Sequence, residues 1–155
     1  MLGKLARWLR MLGQDTIYAT TLGDLDLILR AKKENRILVT RDFELYQKSI
    51  KNKIKVVYVK TQSIDFLLSD LSKQFDFPLI INMILSRCPK CNQRLEIIPK
   101  QEAAKKLKPK TLIHYTEFWF CSKCNSVYWQ GSHWNKINSI LQKARIHKNS
   151  IIKPF

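Results

Sequence analysis

The residues best placed to do specific chemistry in this chain are four cysteines in two identical spacings. These are Cys88-Pro89-Lys90-Cys91 and Cys121-Ser122-Lys123-Cys124. A CxxC turn aims two sulfurs at one point, and two such turns complete a tetrahedral thiolate site of the kind that holds zinc. Four protein ligands leave no position for water, so the Zn2+ they predict is structural and not catalytic. Two disulfides or ordinary buried thiols are the alternatives. No sequence feature points to an oxidising compartment, which favours the metal. Twenty-nine residues, Asn92 to Phe120, separate the pairs, and no cysteine is left over.

A second group is acidic. Asp42 follows the apolar run Ile37-Leu38-Val39-Thr40, and Asp24 follows the β-like run Thr16 to Thr20. Carboxylates just past strand ends sit where open α/β sheets gather their active sites. Each aspartate can equally be a helix cap. Asp26 and Glu44 are nearby candidates of lower rank. A third group is basic. Lys4, Arg7 and Arg10 recur at helical spacing and form either a phosphate-contacting face or a merely solvated one. Lys100, Lys105, Lys106, Lys108 and Lys110 make a further cluster between the cysteine pairs, a polyanion footprint or a simple loop. Trp119, Trp129 and Trp134 can stack on bases, although such aromatics more often fill a thin core. His133 is a low-ranked candidate for phosphate contact or proton transfer.

The elements that must position these groups alternate. Leu2, Leu5, Leu9 and Leu12 predict an opening helix closed by Gly13. Asp24 is predicted to cap a helix whose buried stripe is Leu25, Ile28, Leu29 and Ala31. Arg36–Thr40 and Lys55–Val59 read as strands, with a helix from Phe43 to Ile50 between them. Ser63 is predicted to cap a helix bearing Ile64, Leu67, Leu68, Leu71 and Phe75. This alternation predicts an α/β fold, a parallel sheet flanked by helices. Leu95–Ile98, Glu117–Phe120 and Val127–Gln130 read as ribbon strands around the metal, followed by a helix capped by Ser132. The predicted division is residues 1–86 and 87–155, cut near Ser86.

Composition bounds the function. Of 155 residues, 28 are Lys or Arg and 12 are Asp or Glu, a net charge of +16. Residues 88–155 alone hold 13 bases and 3 acids, a net of +10. Such a field favours polyanionic partners, RNA or other single-stranded nucleic acid and DNA among them, and charge alone does not separate these from an acidic membrane surface or an acidic protein. The 45% hydrophobic content suffices for a core, and no apolar run approaches the roughly 20 residues of a membrane span. A membrane or secreted protein is disfavoured, and a cytoplasmic one is expected.

Together these motifs resemble a known family. Met1 through Gly13, then Ile37-Leu38-Val39-Thr40-Arg41-Asp42, then Arg87-Cys88-Pro89-Lys90-Cys91-Asn92 follow its order. Phe118-Trp119 through Cys124 and Tyr128-Trp129-Gln130-Gly131-Ser132-His133-Trp134 complete it. The chain is similar to the Mut-seven C-terminal RNase domain family, PIN-like proteins with an appended zinc ribbon. The resemblance implies a ribonuclease whose Asp42 and Asp24 hold Mg2+ or Mn2+, the hard cations that activate water and neutralise phosphate charge. It also implies a strand ending in aspartate ahead of the first helix, which this sequence does not contain. A start upstream of Met1 is the favoured expectation, because losing a central strand exposes two sheet edges. A non-catalytic nucleic-acid-binding module is the alternative.

Overall fold

In the computed structural model, which describes residues 2–60 and 63–150, twelve elements follow one another. They are α1 (Leu2–Met11), α2 (Asp24–Lys33), β1 (Leu38–Thr40), α3 (Phe43–Lys51), β2 (Val56–Tyr58), α4 (Ile64–Phe75), β3 (Glu96–Ile98), α5 (Lys100–Ala104), α6 (Pro109–His114), β4 (Phe118–Cys121), β5 (Ser126–Tyr128) and α7 (Trp134–Asn149). Met1, part of the opening motif, lies outside the described residues. They form two compact units, residues 18–60 and residues 3–17 with 63–150. These units do not follow a single cut at Ser86, because α1 and α4 fall in the same unit as the ribbon. No helix among the described residues is long and apolar enough to cross a membrane.

In the unit of residues 18–60, β1 and β2 pair in parallel, with Leu38 opposite Val56 and Thr40 opposite Tyr58. Helix α3 joins them, as a crossover between parallel strands requires. Ile28 and Ala31 of α2 bury against Leu45 and Ile54. Two expectations need correction here. The predicted stripe of α2 included Leu25 and Leu29, but these are 72% and 64% exposed, and only Ile28 and Ala31 turn inward. The parallel sheet has two strands among the described residues, fewer than the alternation suggested.

In the other unit, α1 ends at a Schellman-type turn. Gly13 takes φ +86, its N–H reaches Arg10 O, and the Gln14 N–H reaches Leu9 O. Thr16 to Thr20, predicted as a strand, is not one. The Thr16 N–H donates to Asn92 Oδ1 at 3.0 Å and its carbonyl accepts from Arg10 Nε at 2.8 Å. Side chains therefore hold the backbone groups that a sheet would need. Helix α4 buries Leu67, Leu68 and Leu71 and packs on α7. The ribbon is the antiparallel sheet β3-β4-β5, with Trp119 opposite both Ile97 and Tyr128. Its thin core is Met83, Leu95 and Trp119 around Cys88 and Cys121. His133, not Ser132, holds the N-cap position of α7. The stretch after β3, whose lysines read as either a polyanion footprint or a loop, contains α5 and α6.

Candidate functional site

The four cysteines converge. Their sulfurs all lie within 4.8 Å of one another, and Cys91 Sγ to Cys121 Sγ is 3.4 Å. A tetrahedral zinc–thiolate centre, with Zn–S bonds of about 2.3 Å, sets its sulfurs about 3.8 Å apart. All four are free thiols, so the disulfide alternative falls. The first knuckle is shaped by a turn in which the Asn92 N–H reaches Cys88 O at 2.9 Å, with Asn92 at φ +72. The Cys124 N–H, 3.4 Å from Cys121 Sγ, does the matching work on the second.

Electrostatics fit a cation too. Burial pushes the Cys88 thiol up, but the Tyr128 hydroxyl at 3.1 Å and backbone N–H groups outweigh it and bring it down to about 7. Cys91, hydrogen-bonded to Cys124, pushes the latter up to about 12, with burial and Cys88 adding to the effect. Burial likewise raises Cys121. Four clustered thiols cannot all ionise unaided; a divalent cation bound among them removes that conflict. The residues fit a structural zinc.

Arg10 is part of this centre and not of a phosphate-binding face. It is only 7% exposed, and Nη1 donates to Pro89 O at 2.9 Å and Lys90 O at 3.1 Å. The guanidinium thus clamps both central carbonyls of the first CxxC knuckle. This corrects the expectation that Lys4, Arg7 and Arg10 share one surface: Lys4 and Arg7 are exposed, Arg10 is inside.

The acidic group lies in the unit of residues 18–60. Asp42 follows β1 and caps α3, with Oδ1 accepting from the Glu44 N–H at 2.8 Å and the Leu45 N–H at 3.1 Å. Its own N–H donates to the Oγ1 of buried Thr40 at 3.0 Å, which fixes the residue at the strand's end. Asp24 was expected to cap α2, but Gly23 takes that position. The Asp24 carboxylate instead accepts from Lys48 Nζ at 2.8 Å. Asp24 chiefly, and then Glu44 and Asp42, hold the Lys48 ammonium above its ordinary value. Lys48 therefore marks where these carboxylates attract positive charge. Sequence reasoning missed it; its position four residues after Glu44 on one helix face was the available signal. Asp26 is exposed on the first turn of α2. Among the described residues only the cysteines gather three or more metal-ligating side chains. Asp24 bonds Lys48 directly and Asp42 acts on it through its charge; a hard cation such as Mg2+ takes one or two carboxylates plus waters. The exposed ion pair that would have to open is weak. Phe43, Tyr46 and Tyr58 pack beside this group, Tyr46 to Tyr58 at 5.4 Å between centroids.

The other sequence candidates divide. Trp119 is 5% exposed and belongs to the core, and Trp134 packs against it. Trp129 lines a cavity with His133, Lys108 and Lys110. Lys105 pairs with Glu102, and Lys106 bonds Asn125 and lies over the Phe120 ring. Lys100 is exposed. Compared with known protein families, the chain matches the Mut7-C RNAse domain over residues 1–141. Comparison with curated proteins and with solved structures gives no match.

Proposed function

The chain belongs to the Mut7-C RNAse domain family, and from that premise we propose that it is a PIN-like, metal-dependent ribonuclease acting through Asp42 and Asp24. The observation that carries the reading is Asp42 itself, pinned at the end of a parallel strand with Asp24 sharing its lysine neighbour. In this reading residues 1–86 are the nuclease part, and residues 87–155 are a zinc ribbon that helps bind RNA. Cys88, Cys91, Cys121 and Cys124 hold Zn2+. Asp42 and Asp24 would hold Mg2+ or Mn2+, which supplies the charge that activates water and neutralises the phosphate. The protein's own contribution is orientation. Two backbone N–H groups hold the Asp42 carboxylate, and Thr40 Oγ1 holds the Asp42 backbone N–H, before any ligand arrives. Lys4 and Arg7, exposed on α1, are available for phosphate contacts.

One observation favours a second reading, a non-catalytic nucleic-acid-binding module: the Lys48 ammonium already neutralises Asp24. A single substitution separates the two. Asp42→Asn keeps the capping oxygen and removes the charge. In the 155-residue chain, and in a version begun further upstream in its gene, Mn2+-dependent cleavage of single-stranded RNA should vanish in Asp42→Asn while RNA binding persists. Parent proteins that bind RNA and never cut it would establish the binding module instead.

A further inference from the structure

The unit that carries the cysteines also encloses a cavity of about 660 Å3. That is within the range of roughly 300–1,000 Å3 typical of small-ligand clefts. Its lining combines aromatic rings and aliphatic side chains with several cationic ones. Tyr115, Tyr128, Trp129 and Trp134 line it, with Met83 and Leu95 at the buried side. Lys108, Lys110 and Arg87 border it together with His114 and His133, and no Asp or Glu does. Helix α6 supplies part of the rim, and the ribbon strand β5 with the turn into α7 supplies the ring faces.

Trp129 is held for display and not swallowed by the core. Its Nε1 would be 2.8 Å from a Cβ at position 131, so Gly131 is what lets the indole approach the chain there. Tyr115 sits beside it, ring centroids 6.5 Å apart, and His114 packs edge-on to Tyr115. An unpaired base offers a flat π-face to such a wall, and its sugar-phosphate strand offers negative charge to such a rim.

We infer that this cavity is a subsite for an unpaired nucleobase of single-stranded RNA, stacked against Trp129 and Tyr115, with the flanking phosphates on Lys108 and Lys110. The inference rests on the reading of the chain as RNA-directed and adds a reading-head to it, built on the ribbon unit and independent of the acidic group. The two clustered lysines nearest the cavity thereby acquire a role that Lys105 and Lys106, tied to Glu102 and Asn125, do not have.

The test titrates zinc-loaded chain, without added Mg2+ or Mn2+, into a labelled oligouridylate and into an abasic strand of equal length and charge. Trp129→Ala should weaken oligouridylate binding about tenfold or more, the loss of one base–aromatic stack, and leave the abasic strand unaffected. Trp129→Phe should restore most of the loss. Lys108→Ala with Lys110→Ala should weaken both probes and flatten the slope of log affinity against log salt by about 1.4. If Trp129→Ala lost its zinc, Tyr115→Leu and Trp129→Phe would carry the comparison in its place. Oligouridylate affinity indifferent to every ring substitution would overturn the subsite, as would equal losses on both probes or tighter binding of an acidic aromatic peptide. A parent chain that bound neither nucleic acid would overturn the RNA-directed reading itself, which is a different failure.

Discussion

At the scale of single residues, two side chains do work that their spacing concealed. Lys4, Arg7 and Arg10 are three apart, yet a helix turns 100° per residue, so Arg10 lies about 120° around from Lys4 and beside buried Ala6. Periodicity alone could not say whether a guanidinium at that angle would find backbone acceptors. It finds three, the carbonyls of Thr16, Pro89 and Lys90. Arg10→Ala would strand them, so zinc affinity should fall about 10–100-fold, the usual loss when a group orienting metal ligands is removed. Competition with a chromophoric chelator measures it, and an unchanged dissociation constant would remove Arg10 from the centre. Lys48 is the second case. If its ammonium stands where a cation belongs, Lys48→Met should strengthen Mn2+ binding several-fold by calorimetry, because the carboxylates lose a competing positive charge. Weaker Mn2+ binding in that variant would contradict the assignment.

At the scale of elements, what the sequence made legible tracks how local the determining physics is. The CxxC pairs, the helices α1, α3 and α4, and the five strands follow from short-range pattern, and all are present. Caps were misread by one residue at α2 and α7, where Gly23 and His133 hold positions expected of Asp24 and Ser132. Helices α5 and α6 are only 5 and 6 residues long, too short for a periodic apolar signal. Pro109 at the first turn of α6 was the one usable cue. Thr16 to Thr20 had strand-like residues, but strand formation depends on a partner, and Arg10 and Asn92 claim the Thr16 backbone. Asp42 was legible as a residue past a strand end, but the strand expected ahead of Asp24 is absent, and its partner Lys48 gave no comparable signal. The ribbon's core gathers Cys88 and Cys121 with Met83, Leu95 and Trp119, so a zinc ion held by the cysteines would contribute to its folding energy. Stripping zinc with a strong chelator should expose Trp119, now 5% exposed, and shift tryptophan emission to the red. An unshifted spectrum after verified zinc loss would mean that the ribbon holds without metal.

At the scale of the whole molecule, a net charge of +16 gives the chain its reach toward polyanions, and the family gives that charge a context. Charge supplies encounter and affinity but no chemistry. Chemistry requires the carboxylates of Asp42 and Asp24 to hold a cation, which is the central claim. The most direct measurement is paramagnetic broadening of backbone amide resonances as substoichiometric Mn2+ is added to the zinc-loaded, isotope-labelled chain. The account predicts that the amides of Asp24 through Asp26 and of Asp42 through Leu45 broaden first, and that Asp42→Asn abolishes the effect there. Broadening centred elsewhere, or none at these residues at any Mn2+ level the protein tolerates, would contradict it.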